Sequence, residues 1–273
     1  MINHKLICFT DSDSIDLSSL PGVFILEGKE SDVNTLEDTI EMRGVDGELV
    51  FDKTFSPFEI IFKGYYDGRS DPLLVIGDLR NTIHQRGWYY VSSSFYPGYR
   101  YPVNKASFEY EMGHSSDFEF TIIFKVYKGH KESLDSTVGD FSMNSDKWQL
   151  GQNMVARDHS YIHTRNEFEI YNAGNLSINP RTNDMKVIIQ ARSLGGLTII
   201  NRTTGELFKF NDDQTLSTTD TVIIEGAKIF KNGIRCGRLT NLGLITLVPG
   251  INKIEIKNVS SVKTTWDFRF LYK

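Results

Sequence analysis

The sequence predicts a β-dominated protein of two domains, and three observations carry that expectation. At 273 residues the chain exceeds one typical domain and fits two of about 120–140 residues. Its aromatic share is 12%, with 18 Phe and 12 Tyr, residues that favour sheet surfaces. Apolar and polar residues alternate over many short stretches, whereas helical spacing stands out in only one.

The first domain is expected at residues 1–132. Leu6 to Phe9, Val23 to Leu26, Leu36 to Met42 and Phe58 to Tyr65 read as strands. Asp71 then offers a helix N-cap and Pro72 suits the first helical position, with Ile76, Leu79 and Ile83 on one face. The helix is expected to end near Arg86–Gly87, the glycine serving as its cap. Phe108, Tyr110 and Met112 alternate with Glu109 and Glu111, and Gly113 to Ser116 supply a turn. Phe118, Phe120, Ile122, Phe124 and Val126 then alternate with Glu119, Thr121 and Lys125. The pair predicts a long hairpin with one aromatic face buried. Together these elements predict a β-sandwich or split-barrel-like domain with one helix.

Residues 133–146, rich in Ser, Asp and Gly and without periodicity, read as a linker to a second domain at 147–273. There the expected strands are Phe168 to Asn172, Lys186 to Ala191, Leu197 to Asn201, Leu207 to Phe210 and Val222 to Glu225. Lys228 to Lys231, Leu242 to Val248, Lys253 to Lys257 and Thr264 to Tyr272 complete the set. Asn232–Gly233 is a type I′ hairpin signal, and Pro249–Gly250 suits the centre of a type II turn. Many short strands without a helix predict a β-sandwich.

Composition excludes several classes of function. A net charge of −5 gives no basic footprint for tight binding to duplex nucleic acid or anionic lipid. The apolar run Leu6 to Phe9 is too short for a secretory signal, and no stretch reaches the length of a membrane span. Cys8 and Cys236 share no ligand-like spacing and are expected to be unpaired thiols of a protein folded in a reducing cytoplasm.

Patterns of the kind that carry catalysis are thin. His159 and His163 lie four apart near Asp158, a metal-ligand spacing on a helix, yet the segment has no helical period. On a strand such residues stand about 13 Å apart. Glu109 with Glu111, and Asp117 with Glu119, place carboxylates on strand faces as some glycosidases do. Their alternation with aromatics equally describes a solvated sheet face. No nucleophile elbow, phosphate loop or dinucleotide fingerprint occurs, so no catalytic residue, metal ligand or cofactor is assigned. The aromatic segment from Trp88 to Tyr101 is a candidate inter-subunit contact through Trp88, Tyr89, Tyr96 and Tyr99, or else a strand pair packed on the helix. Trp148 and Trp266 read either as sugar-stacking platforms or as core.

The second half also carries an ordered series of motifs. Ile170-Tyr171-Asn172-Ala173-Gly174 is followed by Pro180, and Ile199-Ile200-Asn201-Arg202-Thr203-Thr204-Gly205-Glu206 comes next. Asn232-Gly233, then Leu247-Val248-Pro249-Gly250-Ile251-Asn252, and a closing alternation of Trp266, Phe268, Phe270 and Tyr272 complete it. In this order the residues resemble the distal tail protein family of long-tailed bacteriophages, and the elements of the first half follow the order that family uses. The resemblance gives Asn172, Gly174, Pro180, Asn201, Gly205, Pro249, Gly250 and Asn252 a fold-specifying role. It implies a structural virion protein with a ring-forming N-terminal domain and a galectin-like C-terminal sandwich. It further implies a hexameric hub at the virion tail tip, assembled in the bacterial host cytoplasm. The expected partners are the tail tube protein, the tape measure protein and the tail-tip or baseplate proteins, with DNA passing through an axial channel without specific binding. Short connections leave no room for the inserted carbohydrate-binding module or the receptor-binding arm of some relatives. The alternative reading is an adhesin of carbohydrate-binding-module type that recognises host cell-wall glycans, and a glycosidase ranks third.

Overall fold

The structure is a computed structural model that describes residues 3–44, 46–51, 53–139, 147–149, 151–154 and 159–273. The chain divides into two compact units, residues 1–132 with Lys273 and residues 133–272. Both are built from antiparallel strands, and the one α-helix among the described residues is Pro72–Ile83.

In the first unit the strands run in the order Ser14–Asp16, Leu6–Phe9, Tyr89–Ser93, Tyr96–Met112, Phe118–Val126, Phe58–Tyr66, Val23–Glu30. The sheet curls until its ends approach. Asn3 donates from Nδ2 to Val23 O and accepts at Oδ1 from Ile25 N, which brings the start of the chain back to the last strand. Alternation dictates the interior: Phe58, Ile60, Phe62 and Tyr66 stand beside their cross-strand partners Val126, Phe124, Ile122 and Phe118 on one buried sheet face, and Leu6, Val23 and Tyr101 are buried with them.

The helix covers this core with Val75, Ile76, Leu79 and Ile83. Asp71 caps its start by accepting from Leu73 N at 2.9 Å. Its end differs from expectation. The helix stops at Ile83 with His84 as the C-cap, and Gly87 lies beyond it. The reason is tertiary: the Tyr89 hydroxyl donates to Ile83 O at 2.5 Å, satisfying a terminal carbonyl from the following strand.

Two strands of this unit also depart from the sequence reading. The loop-punctuated stretch near Tyr96 is the beginning of a 17-residue strand, Tyr96–Met112. A register shift between Tyr96 and Tyr101 accommodates Pro97 and Gly98 against Tyr89–Ser93. The expected strand Leu36 to Met42 is broken into Thr35–Leu36 and Thr39–Glu41, which pair with Thr54–Phe55 and Glu48–Val50.

The second unit has two sheets. One runs Ile162–His163, Ser261–Phe268, Met185–Arg192, Thr221–Glu225, Lys228–Lys231, Ile234–Arg235; the other runs Glu167–Asn172, Gly250–Lys257, Thr198–Asn201, Leu207–Lys209. They pack face to face, Phe168 of one against Trp266 of the other with ring centres 6.1 Å apart. Asn232 and Gly233 both take positive φ, as a type I′ turn requires, and join Lys228–Lys231 to Ile234–Arg235.

Part of the stretch read as a linker belongs to this unit. Ser133 N donates to Phe270 O and Thr137 N to Phe268 O, laying residues 133–137 along the final strand region. Residues 140–146 of that stretch lie outside the described residues. The expected strand Leu242 to Val248 is not one, since its only ladder contact is the single bridge Leu247–Ile178.

Candidate assembly surfaces

Residues 35–55 form a hairpin outside the main sheet. Its register sets Thr39 opposite Val50, Ile40 opposite Leu49 and Glu41 opposite Glu48, and Phe51 N donates to Asp38 O. Alternation therefore puts Ile40, Met42, Leu49 and Phe51 on one face, with Glu41 and Glu48 on the other. All four apolar side chains are exposed. Lys53 reaches Glu37 at 3.0 Å, whereas Glu41 and Glu48 stand directly opposite as like charges. Residues 32–53 hold seven acids against Arg43 and Lys53, a balance of −5 that equals the formal charge of the whole chain. The sequence reading took Leu36 to Met42 as a strand and saw no surface in it; the signal that marks one is the coincidence of apolar alternation with that concentration of acid.

The helix presents a second uncovered surface. Leu73 and Leu74, in its first turn, are each 67% exposed. Arg80 lies over the rings of Phe108 and Tyr110 at 5.7 and 5.6 Å, and Arg86 is exposed beyond the helix end. The four aromatic contact candidates separate here. Tyr89 is 1% exposed and Tyr99 is buried, so both belong to the core of the unit. Tyr96 is half-buried, edge-on to Tyr101. Trp88 is 53% exposed and packs edge-on against Tyr90, which leaves it as the aromatic available to a neighbour.

The first unit also holds a buried charge cluster. Glu132 accepts at Oε2 from Arg100 Nε at 2.8 Å and from Nη2 at 2.5 Å, and at Oε1 from Lys128 at 3.0 Å. Burial pushes the Glu132 carboxyl up, but Arg100 and Lys128 outweigh it and hold the group below the ordinary glutamate value. The Arg100 guanidinium also stacks on Tyr90 at 3.7 Å. Glu30 receives the Tyr101 hydroxyl at one oxygen and Lys131 at the other, 2.6 Å away. Each charge has its partners, so the cluster fixes structure and offers no vacancy for a ligand.

In the second unit the motif residues converge. Asn172 donates from Nδ2 to Leu176 O and Leu247 O and accepts at Oδ1 from Gly174 N. Asn201 donates to Thr246 O at 2.7 Å, and Asn252 accepts from Val248 N while donating to Val248 O. Three amides from three strands thus hold the backbone of 246–248. These bonds take the place of a ladder, which is why that segment is not a strand. Gly174 has no room for a Cβ, which would stand 2.5 Å from Leu271 O. Gly205 and Gly250 supply left-handed turn residues, at φ +78° and +87°. Pro180 is buried beside Met185 and Val187 at a small apolar cavity.

The remaining candidates for chemistry are dispersed. Glu109, Glu111 and Glu119 lie exposed on the open sheet face, without the enclosure that makes a carboxyl a general acid. Asp117 is a turn residue, its carboxyl held low by Ser115 N and the Tyr65 hydroxyl. His159 stacks on Tyr171 and His163 on Phe168, while Asp158 lies outside the described residues. No group of three metal-binding side chains occurs among the described residues. Cys8 and Cys236 are buried and unpaired, and burial, with Asp16 nearby, pushes the Cys8 thiol up to about 12. Trp266 is fully buried and Trp148 packs on Phe270, so neither lies open as a sugar platform.

Comparison with known proteins places this fold. No protein-family model matches the sequence, and no curated protein matches it. Among solved structures, the SPP1 Dit protein, described as a paradigm of the hub adsorption apparatus in phages that infect Gram-positive bacteria, is similar over 98% of this chain and 100% of its own, with TM-score 0.67 and 13% identity. A chain of the phage P2 baseplate in its activated conformation with calcium aligns over 99% of this chain and 98% of its own, with TM-score 0.47 and 12% identity. The chain therefore has the β-rich, Dit-like fold over essentially its whole length.

Proposed function

We propose that the chain is a structural protein of a phage tail, a hub whose copies close into a hexameric ring joining the tail tube to the tail-tip or baseplate proteins. The observation that carries this reading is the whole-chain likeness to a hub protein, in which both units find counterparts. The two uncovered surfaces of the first unit support it, because a protein that works by assembly needs apolar faces completed by neighbours. In this reading the second unit is a galectin-like sandwich that presents docking surfaces to tail-tip proteins. The tape measure protein is a further neighbour, and the work is contact without catalysis. The modest acidity suits an axial channel that lets DNA pass without holding it. The setting is the tail tip of the virion, after assembly in the bacterial cytoplasm and without membrane contact.

The test is the solution mass over a range of concentrations, followed by electron microscopy of any large species. A mass climbing toward six times 31.1 kDa, with ring-shaped particles, is the expected result. A protein that stays monomeric throughout and scores on a glycan array would overturn the reading in favour of an adhesin.

A further inference from the structure

We propose that Ile162–His163 is an acid-released catch on the edge of the second unit's sandwich. When His163 takes up a proton, residues 162–165 leave the strand Ser261–Phe268 while the rest of the unit stays folded. Such a catch works within one copy and needs no assembly.

The catch spans the two sheets. Ile162 and His163 pair with Thr265 and Thr264 at the edge of one sheet. The His163 ring lies flat on Phe168 of the other sheet with centres 4.1 Å apart, and Phe168 packs edge-on against Trp266. A two-residue strand paired on one side is a weak hold, so local opening here is cheap. Both ends are fixed. The Tyr161 hydroxyl donates to Tyr171 O at 2.8 Å and its carbonyl accepts from Trp266 N, while Asn166 O accepts from Ile256 N at 2.7 Å. Farther along the same edge, Thr137 N donates to Phe268 O. Only the stretch around Thr264 therefore depends on the catch, and release bares the backbone groups of that stretch.

His163 has nowhere to place a second proton. Its Nε2 is buried and has no hydrogen-bond partner among the described residues. Thr264 stands opposite it, Phe168 lies against it, and the Trp266 Nε1 already donates to Thr264 Oγ1. Strand alternation turns the charges of the neighbouring elements to the outer faces: Glu167 and Glu169 beside Phe168, Lys253 and Glu255 on the next strand, and Lys263 and Asp267 beside Thr264 and Trp266. Arg165 is exposed, His159 stacks on Tyr171, and burial keeps the Tyr161 phenol neutral. An imidazolium here is a buried charge without counterion or acceptor, and moving the ring to water relieves it. Burial holds the imidazole below its ordinary value of 6.5, outweighing the Ser160 backbone hydrogen bond that favours the charged form. The open form therefore takes up the proton first, and opening is favoured as pH falls below 6.5.

The experiment is amide hydrogen exchange of the full chain, read residue by residue by NMR from about pH 7.5 down to about pH 5 and corrected for the intrinsic pH dependence of exchange. Thr264 lies two residues from Trp266 on one strand, so its N–H points toward the catch as that of Trp266 does. Thr264 is expected to lose protection by up to about tenfold for each pH unit below the ordinary histidine value, the limit for one proton per opening. Trp266, bonded to the fixed Tyr161, and the amides of Met185–Arg192 should keep theirs. His163→Phe retains a ring to stack and nothing to protonate, so its Thr264 should stay protected in acid. Should that variant not fold, the parent decides alone: the imidazole signals of His163 must titrate over the range in which Thr264 opens. Protection at Thr264 that ignores pH, or that falls equally in His163→Phe, would overturn the proposal. A loss shared evenly by all amides of the unit would do the same, since that is unfolding of the whole unit.

Discussion

Asn201 donates from Nδ2 to Oδ1 of Asn252 at 3.1 Å, and both side chains are fully buried. Neither is replaceable by an apolar residue, because each also bonds main-chain groups in the 246–248 segment. Asn201→Ala orphans Thr246 O, and Asn252→Ala orphans both polar groups of Val248. Each orphan costs about 1–3 kcal/mol. Chemical denaturation should show the double variant less destabilised than the two singles combined, as expected for groups that share partners.

Arg100 and Glu132 form the buried ion pair of the first unit. Removing Arg100 leaves the buried Glu132 carboxylate with Lys128 as its remaining cation, so Arg100→Met should destabilise by less than the roughly 3–5 kcal/mol of a fully unpaired buried charge. The pair also sets a pH dependence. Glu132 is held below its ordinary value of 4.5 in the folded state, so its contribution is complete above that value and is lost as pH falls below it. A Glu132→Gln variant should be less stable at neutral pH and lose less on acidification, which melting curves from pH 7 down to about pH 3 would reveal.

His163 stacks on Phe168 at 4.1 Å, and its Nε2 is buried without a hydrogen-bond partner among the described residues. Burial pushes the imidazole below its ordinary value of 6.5. The unfolded chain therefore takes up the proton first as pH falls. The second unit should keep this contribution above pH 6.5 and lose it as pH drops through that value. His163→Phe should flatten that part of the stability profile, as followed by the near-ultraviolet signal of Trp266.

Gly174 and Gly205 serve different purposes, and alanine separates them. At Gly174 the new Cβ would press on the backbone of Leu271, which cannot retreat without breaking the final strand, and severe destabilisation is expected. At Gly205 the space is open and only the left-handed φ of +78° resists, so the loss should be about 1 kcal/mol. Thermal melts of the two variants should rank them in that order.

The sequence by itself determined what local chemistry governs. Alternation of apolar residues marked Phe118–Val126 and most sandwich strands, Asp71–Pro72 fixed the start of the helix, and Asn232–Gly233 fixed its turn. Each depends on neighbours within a few residues, so a linear reading suffices. The tertiary structure decided whatever depends on distant partners. Tyr89 ended the helix before Gly87, and three asparagine amides held residues 246–248 out of the sheet. Burial removed Tyr89 and Tyr99 from the contact candidates while leaving Trp88, Leu73 and the 35–55 hairpin exposed. Alternation shows that a residue is apolar and which face it shares, but only packing shows whether the chain itself covers that face or leaves it for another molecule.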